Sequence, residues 1–169
     1  GHVDFTVEVN RSLRVLDGLV FLFSAVDGVE PQSETNWRLA DQYRVPRMGF
    51  VNKMDRQGSN FLNVCQQVRD MLKSNAVAIT LPIGEENDFK GVVDLVKNQA
   101  IIWHDATQGA TFDIVPIPED MLAEVKEYRS ILIEAVADYD ENLLDKYMED
   151  ENSITEEEIN IALRAATMD

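Results

Sequence analysis

The chain has 169 residues, 45% of them apolar, with a formal net charge of −16 and one cysteine. That is enough for one ordinary domain, or one and a half small ones, with a real core. A lone Cys65 excludes an internal disulfide framework and fits a reducing cytosol; no apolar run is long enough to span a bilayer, and no signal peptide opens the chain. The acidity is uneven. Residues 1–118 carry 15 acidic and 11 basic side chains, residues 119–169 carry 16 and 4. The last third would repel phosphates, which argues against direct DNA or RNA binding through that surface and for a basic protein partner or solvated helix faces. The chain opens on Gly1-His2 without an initiator methionine and reads as part of something longer.

Residues 4–16 carry apolar residues at Phe5, Val9, Leu13 and Leu16, the stripe of a helix that Asp17-Gly18 ends. Leu19 to Phe23 is an unbroken apolar run closed by Ser24-Ala25, which predicts a strand buried on both faces, as in a parallel sheet. Asp27-Gly28 makes a turn. Gln32 to Arg44 reads as a helix with Trp37, Ala40 and Tyr43 inward. A second buried strand runs from Met48 to Val51. Gly58-Ser59-Asn60 then opens a helix reaching about Lys73, striped by Phe61, Val64, Cys65, Val68, Met71 and Leu72. Strand and helix alternating with short links is the pattern of a doubly wound α/β sheet, here over residues 1–75.

The texture then changes. Ala76 to Leu81 reads as a short strand. Val92 to Val96 and Gln99 to Trp103 flank Lys97-Asn98, a hairpin signal with a two-residue turn. Thr111 to Val115 fits a third antiparallel strand, ended by Pro116 and Pro118. From Glu119 the pattern is helical: Met121, Leu122, Val125, Tyr128, Leu132, Val136 and Tyr139 form one stripe, and Leu143, Leu144, Tyr147 and Met148 another. Thr155 to Glu158 is a capping box ahead of Ile159, Leu163 and Ala166. Residues 76–169 therefore read as an acidic α+β subdomain. His104 reads as a surface or cap histidine, Trp37 and Trp103 as packing residues, and Cys65 as a core residue. No metal-ligand set is evident.

The stretch with the clearest chemistry is Phe50-Val51-Asn52-Lys53-Met54-Asp55, an apolar run ending in Asn-Lys-x-Asp. The carboxyl end of a buried parallel strand is where a ligand crevice forms in such sheets. The chemistry suits guanine. The Asp55 carboxylate can accept from the base's N1–H and exocyclic amine, Asn52 can donate to the N7 or O6 side, and the Lys53 stem can lie over the ring. Adenine would leave Asp55 unpaired, at a cost. A strand that ends in a polar loop gives the same four residues by accident, so the motif needs context.

Context comes from longer stretches. Gly1-His2-Val3-Asp4-Phe5-Thr6, Arg11 to Gly18, Pro31-Gln32-Ser33-Glu34-Thr35, Phe50 to Arg56, Leu81-Pro82-Ile83-Gly84, Gly91 to Val96 and Ile154 to Ile159 together resemble the bacterial elongation factor G family of translational GTPases. The match spans essentially the whole chain. The resemblance implies a partial doubly wound P-loop GTPase (Ras-like) sheet, entered at the switch II region, followed over residues 76–169 by the family's inserted α+β subdomain.

It also implies roles. His2 corresponds to the switch II histidine that orients the attacking water, and Gly1 to the residue whose N–H meets the γ-phosphate; Asn52, Lys53 and Asp55 correspond to the base-reading residues. GTP and Mg2+ would be the cofactors. The phosphate loop, the switch I threonine, most Mg2+ ligands and the second base-contacting turn have no counterpart in the sequence; Ser24-Ala25 is not that turn. The implied partners are the ribosome, through its stalk protein and sarcin-ricin region, and indirectly the tRNA–mRNA complex; the implied location is the cytoplasm. On that basis the intact protein would hydrolyse GTP to drive translocation, and the isolated chain would neither bind GTP tightly nor hydrolyse it. Two alternatives stay open: a related ribosome-associated GTPase (a tetracycline-resistance protection protein or a release-factor GTPase), and a non-catalytic module that binds the stalk protein.

Overall fold

A computed structural model describes residues 6–169. Gly1 and His2, with the Phe5 position of the first stripe, lie outside the described residues. The fold is α/β, with one parallel and one antiparallel sheet, and divides into two compact units, the first ending at Ala76 and the second spanning Val77–Met168.

In the first unit, α1 (Thr6–Leu13) leads to β1 (Leu19–Ser24), α2 (Pro31–Gln42), β2 (Arg47–Asn52) and α3 (Phe61–Leu72). The first helix stops three residues short of the expected end, and Leu16 is exposed rather than part of the stripe. β1 and β2 pair in parallel, flush from Leu19↔Arg47 to Ser24↔Asn52. Side chains alternate between the faces of a strand. Phe21 and Phe23 therefore point together into a core with Val29, Val64, Val68 and Leu72, and Trp37 packs on its margin. Trp37 meets Phe21 edge-on at 5.3 Å. Its ring face carries the Arg47 guanidinium at 4.5 Å, which is also paired with Asp41 at 2.9 Å. A second small core joins Leu13, Ala40 and Val45, packing α1 on α2.

The expectation of strands buried on both faces is wrong for the described residues. Val20 (63% exposed), Leu22, Met48 and Phe50 (54%) form the opposite face and are all open. The register sets Val20 beside Met48 and Leu22 beside Phe50. The described packing gathers on the face of Phe21 and Phe23, with α3 and Trp37 of α2, and no described segment of this unit covers the other.

α3 is capped at both ends. The Asn60 side chain accepts from the Asn63 N–H, and Lys73 closes the helix in the left-handed conformation. Of the predicted stripe, Val64, Val68 and Leu72 are buried, whereas Met71 is exposed. Cys65 is half-buried among these, and burial pushes its thiol pKa up.

The second unit holds β3 (Thr80–Ile83), β4 (Gly91–Asp94), β5 (Gln99–Trp103) and β6 (Phe112–Val115), then α4 (Leu122–Ala137), α5 (Glu141–Glu149) and α6 (Glu156–Met168). Its sheet is antiparallel in the order β3-β4-β5-β6. The first strand starts later than expected and includes Pro82. The β4–β5 turn has four residues, Leu95 to Asn98, because Asp94 pairs with Gln99. The Asp94 carboxylate accepts from the Val96 and Lys97 N–H groups, and this side-chain turn outcompetes strand continuation. Leu95 and Val96 are buried within that turn.

Leu81, Val93, Leu95, Leu132, Ile133, Val136, Leu143 and Ile159 are almost wholly buried. Arg129 on α4 donates to the Leu95 and Val96 carbonyls, tying the helix to the β4–β5 turn. Leu122, Tyr139, Leu144 and Met148, expected inward, are exposed, while Ala162 rather than Leu163 completes the buried stripe of α6. The capping box forms as its sequence implies. The Glu158 carboxylate accepts from the Thr155 N–H and hydroxyl, and the Thr155 hydroxyl accepts from the Glu158 N–H.

Candidate functional site

The site sits where both parallel strands end. β1 finishes at Ser24 and β2 at Asn52, level with each other. The Ser24 hydroxyl accepts from the Val26 and Asp27 N–H groups and turns the chain away from the sheet. Ala25 then becomes a hub. Its N–H donates to the Asn52 carbonyl at 2.8 Å, and its carbonyl accepts from the Asn60 N–H at 2.9 Å. The ends of β1 and β2 and the start of α3 are thus laced together by backbone bonds.

Between Asn52 and Asn60 the chain makes a tight loop. The Lys53 N–H donates to the Asn52 side-chain carbonyl at 2.9 Å. The Lys53 carbonyl accepts from the Arg56 N–H, and the Arg56 carbonyl from the Ser59 N–H. Lys53 has φ +67°, a left-handed conformation that costs a non-glycine residue about 1–2 kcal/mol. Met54 is buried and anchors the loop from below. Ser59, 5% exposed, is the buried polar side chain here, and its hydroxyl donates to the Met54 carbonyl at 2.8 Å. Gly58, at φ +83°, supplies the bend that returns the chain to α3.

Asn52, Lys53 and Asp55, the base-reading candidates of the sequence, share this one loop at the carboxyl end of β2. Lys53 is half-buried; Asn52 and Asp55 are exposed. The Asp55 carboxylate makes no ion pair or hydrogen bond within the described residues, so its acceptor capacity is available to a ligand. Gly1 and His2, the other two candidates, lie outside the described residues. Among the described residues no group of three or more His, Cys, Asp or Glu side chains could hold a metal ion. His104 belongs to the second unit, where its Nε2 meets an Asp113 oxygen at 3.0 Å on the surface.

Sequence reasoning missed the parts of Ser59 and Ala25, which shape the loop through their hydrogen bonds. It also missed Gln67 on α3, whose side-chain carbonyl accepts from the Val29 N–H at 2.8 Å and fixes the loop after β1. Gly28 precedes Val29 at φ +69°, and a Cβ there would collide with Gln67. The adjacent Gly58-Ser59-Asn60 signalled only a helix start.

Residues 1–166 match the family model described as the elongation factor Tu GTP binding domain. The chain belongs to that family. Curated relatives agree over the full chain. It is 70% identical to an Elongation factor G of Cytophaga hutchinsonii and 61% identical to one of Amoebophilus asiaticus, each over 169 residues. Over 168 residues it is 54% identical to an Elongation factor G of Karelsulcia muelleri. The chain spans 24% of the length of each of these relatives. Among solved structures it resembles a crystal structure of a Thermus thermophilus protein at a TM-score of 0.84 and 27% identity, covering 99% of this chain and 24% of that one. In this family setting the Asn52–Asp55 loop lies within a GTP-binding domain.

Proposed function

We propose that the first unit is the guanine-reading part of an elongation factor G GTPase, and that Asn52, Lys53 and Asp55 contact the base. The observation that carries this is the loop itself: a carboxylate left open at the carboxyl end of a parallel strand, on a backbone pinned by Ala25, Ser59 and Asn60. Asp55 accepts from N1–H and the exocyclic amine; Asn52 is held against the Lys53 N–H and braces the turn; the Lys53 stem covers the ring. When bound, GTP with Mg2+ supplies the hydrolysable phosphate and the cation that neutralises its charge. By resemblance His2 orients the water and the Gly1 N–H meets the γ-phosphate. By the same resemblance most Mg2+ ligands have no counterpart in these 169 residues.

The whole protein, on this reading, hydrolyses GTP on the ribosome during elongation, in the cytoplasm. The acidic second unit is the inserted subdomain that faces the stalk protein, and the sarcin-ricin region is the activating contact. The relatives' name, Elongation factor G, favours this over a protection protein or a release-factor GTPase.

The test is nucleotide exchange in the longer polypeptide that contains this chain. Asp55→Asn should lower GDP affinity about 100-fold or more, since it mismatches two hydrogen bonds in a site built for them, and should raise affinity for xanthosine diphosphate, whose 2-oxo group accepts where guanine donates. Unchanged GDP affinity would sink the base-reading role. The 169-residue chain alone should show no micromolar binding of labelled GTP with Mg2+.

A further inference from the structure

The four-stranded sheet of the second unit has two edges, and they differ. Backbone groups in an antiparallel ladder alternate, one residue pairing with its neighbour and the next pointing away. On the β3 side, the Leu95 N–H donates to the Ile79 carbonyl. With the register Thr80↔Asp94 to Ile83↔Gly91, Leu81 and Ile83 then bond to β4, and Thr80 and Pro82 face out. Pro82 therefore puts a missing N–H on that edge, a common guard against a further strand.

On the β6 side, the His104 N–H donates to the Thr111 carbonyl. The register runs from Ala100↔Val115 to Trp103↔Phe112. Asp113 and Val115 thus bond to β5, while Phe112 and Ile114 present both N–H and C=O to the open edge. Those same two residues are 53% and 61% exposed. The Ile114 side chain shares one face of the sheet with Ile101, Val92 and Pro82, which the registers align with it in a row across all four strands. No proline or lysine interrupts β6. From residue 98 to 125 there is no Lys or Arg at all, against Asp105, Asp113, Glu119, Asp120 and Glu124.

We infer that β6 is a docking edge for an extended segment of another protein, in which apolar residues alternate with lysine or arginine. Such a segment adds a fifth strand. Its backbone pairs with Phe112 and Ile114, its apolar side chains extend the row on the Ile114 face, and its basic side chains meet a unit whose residues 77–168 include 21 acidic and 6 basic side chains. The same charge disfavours the obvious rival, β6 pairing with β6 of a second copy, because two net-negative units would face each other. This edge belongs to the second unit and does not rest on the base-reading proposal.

The test uses the 169-residue chain and two acetylated decapeptides, one of alternating lysine and valine, the other with glutamate for lysine. The basic peptide should bind saturably and slow amide hydrogen exchange at Phe112 and Ile114, leaving Asp113, already bonded to β5, unchanged. Ile114→Pro removes an outward N–H and the isoleucine side chain and should weaken binding about tenfold, the loss of one hydrogen bond and one apolar contact, with the circular dichroism spectrum unchanged. Ile114→Lys keeps every backbone group and should weaken it too; it decides the matter if the proline variant does not fold. Equal binding of the glutamate peptide, protection at β3 instead, or no binding by the lysine peptide would overturn the proposal. So would a dimer in sedimentation that Ile114→Lys dissolves, which would assign the edge to a second copy.

Discussion

The two units solve the same problem with different completeness. The second wraps its own core: Leu81, Val93, Leu95, Leu132, Ile133, Val136, Leu143 and Ile159 are each almost wholly buried. The first builds one good face, around Phe21, Phe23, Val64 and Val68, and leaves Val20, Leu22, Met48 and Phe50 open on the other. A strand pair whose residues are apolar on both sides is written for a sheet with cover on both sides. The difference teaches that local sequence specifies how many faces a strand wants buried, while only the surrounding chain decides how many are. It also separates roles. The unit with the open face carries the Asn52–Asp55 loop, and the self-contained unit carries the charge.

That comparison can be broken at the core first. Leu132→Ala should destabilise the second unit by about 2–5 kcal/mol, the usual cost of a large-to-small change at a fully buried site, seen as an earlier thermal transition by circular dichroism. Hydrogen exchange should show the loss confined to residues 77–168; an equal loss in the first unit would show that the two are one cooperative body. Next, Arg129→Met should cost the second unit about 1.5–3 kcal/mol, because its guanidinium is the donor to two carbonyls of the β4–β5 turn. Faster exchange in Leu95 to Asn98 is the signature to look for in that variant.

Asn60→Ala tests the first unit, removing the side chain that accepts from the Asn63 N–H at 3.0 Å. About 1 kcal/mol should be lost, and α3 should fray at its start, while the bond from the Asn60 N–H to the Ala25 carbonyl is retained. The smallest effect is an acid titration of the second unit. The Lys146 ammonium, 2.8 Å away, lowers the Glu158 pKa, as do the bonds from Thr155. A lowered folded value means stability that is complete above the ordinary pKa of 4.5 and is lost as pH falls through the lower folded one. Lys146→Ala should shift that loss to higher pH, and an unshifted acid midpoint would dismiss the cap's contribution.

Much of this was legible beforehand, and particular residues show why. The spacing of Val64, Val68 and Leu72 fixes α3, because a helix needs only local periodicity. Thr155 and Glu158 announce a cap that requires no distant partner. The grouping of Asn52, Lys53 and Asp55 at the end of β2 is legible because they lie within one short loop. The misreadings mostly involve distance. β1 and β2 look doubly buried, since apolar content does not say whether a covering segment is at hand. Leu95 and Val96 look like strand, yet the Asp94 carboxylate folds them into a turn whose burial depends on the tertiary core. The strand expected to end at Leu81 runs on through Pro82 to Ile83, because an edge position tolerates a proline. Ser59 looks like any loop serine until its hydroxyl is seen under the Met54 carbonyl, an assignment no spacing rule contains.

Gln67 carries a consequence for how this protein is made. The Val29 amide is satisfied by a side chain 38 positions further on, and the Ala25 carbonyl waits for Asn60. A chain emerging from its own ribosome, amino end first, can form β1 and α2 early. It cannot close the loop after β1 until Gln67 has left the exit tunnel. The loop after β1 therefore sets only once the helix behind it has been synthesised, together with the core that Val68 and Leu72 of the same helix complete.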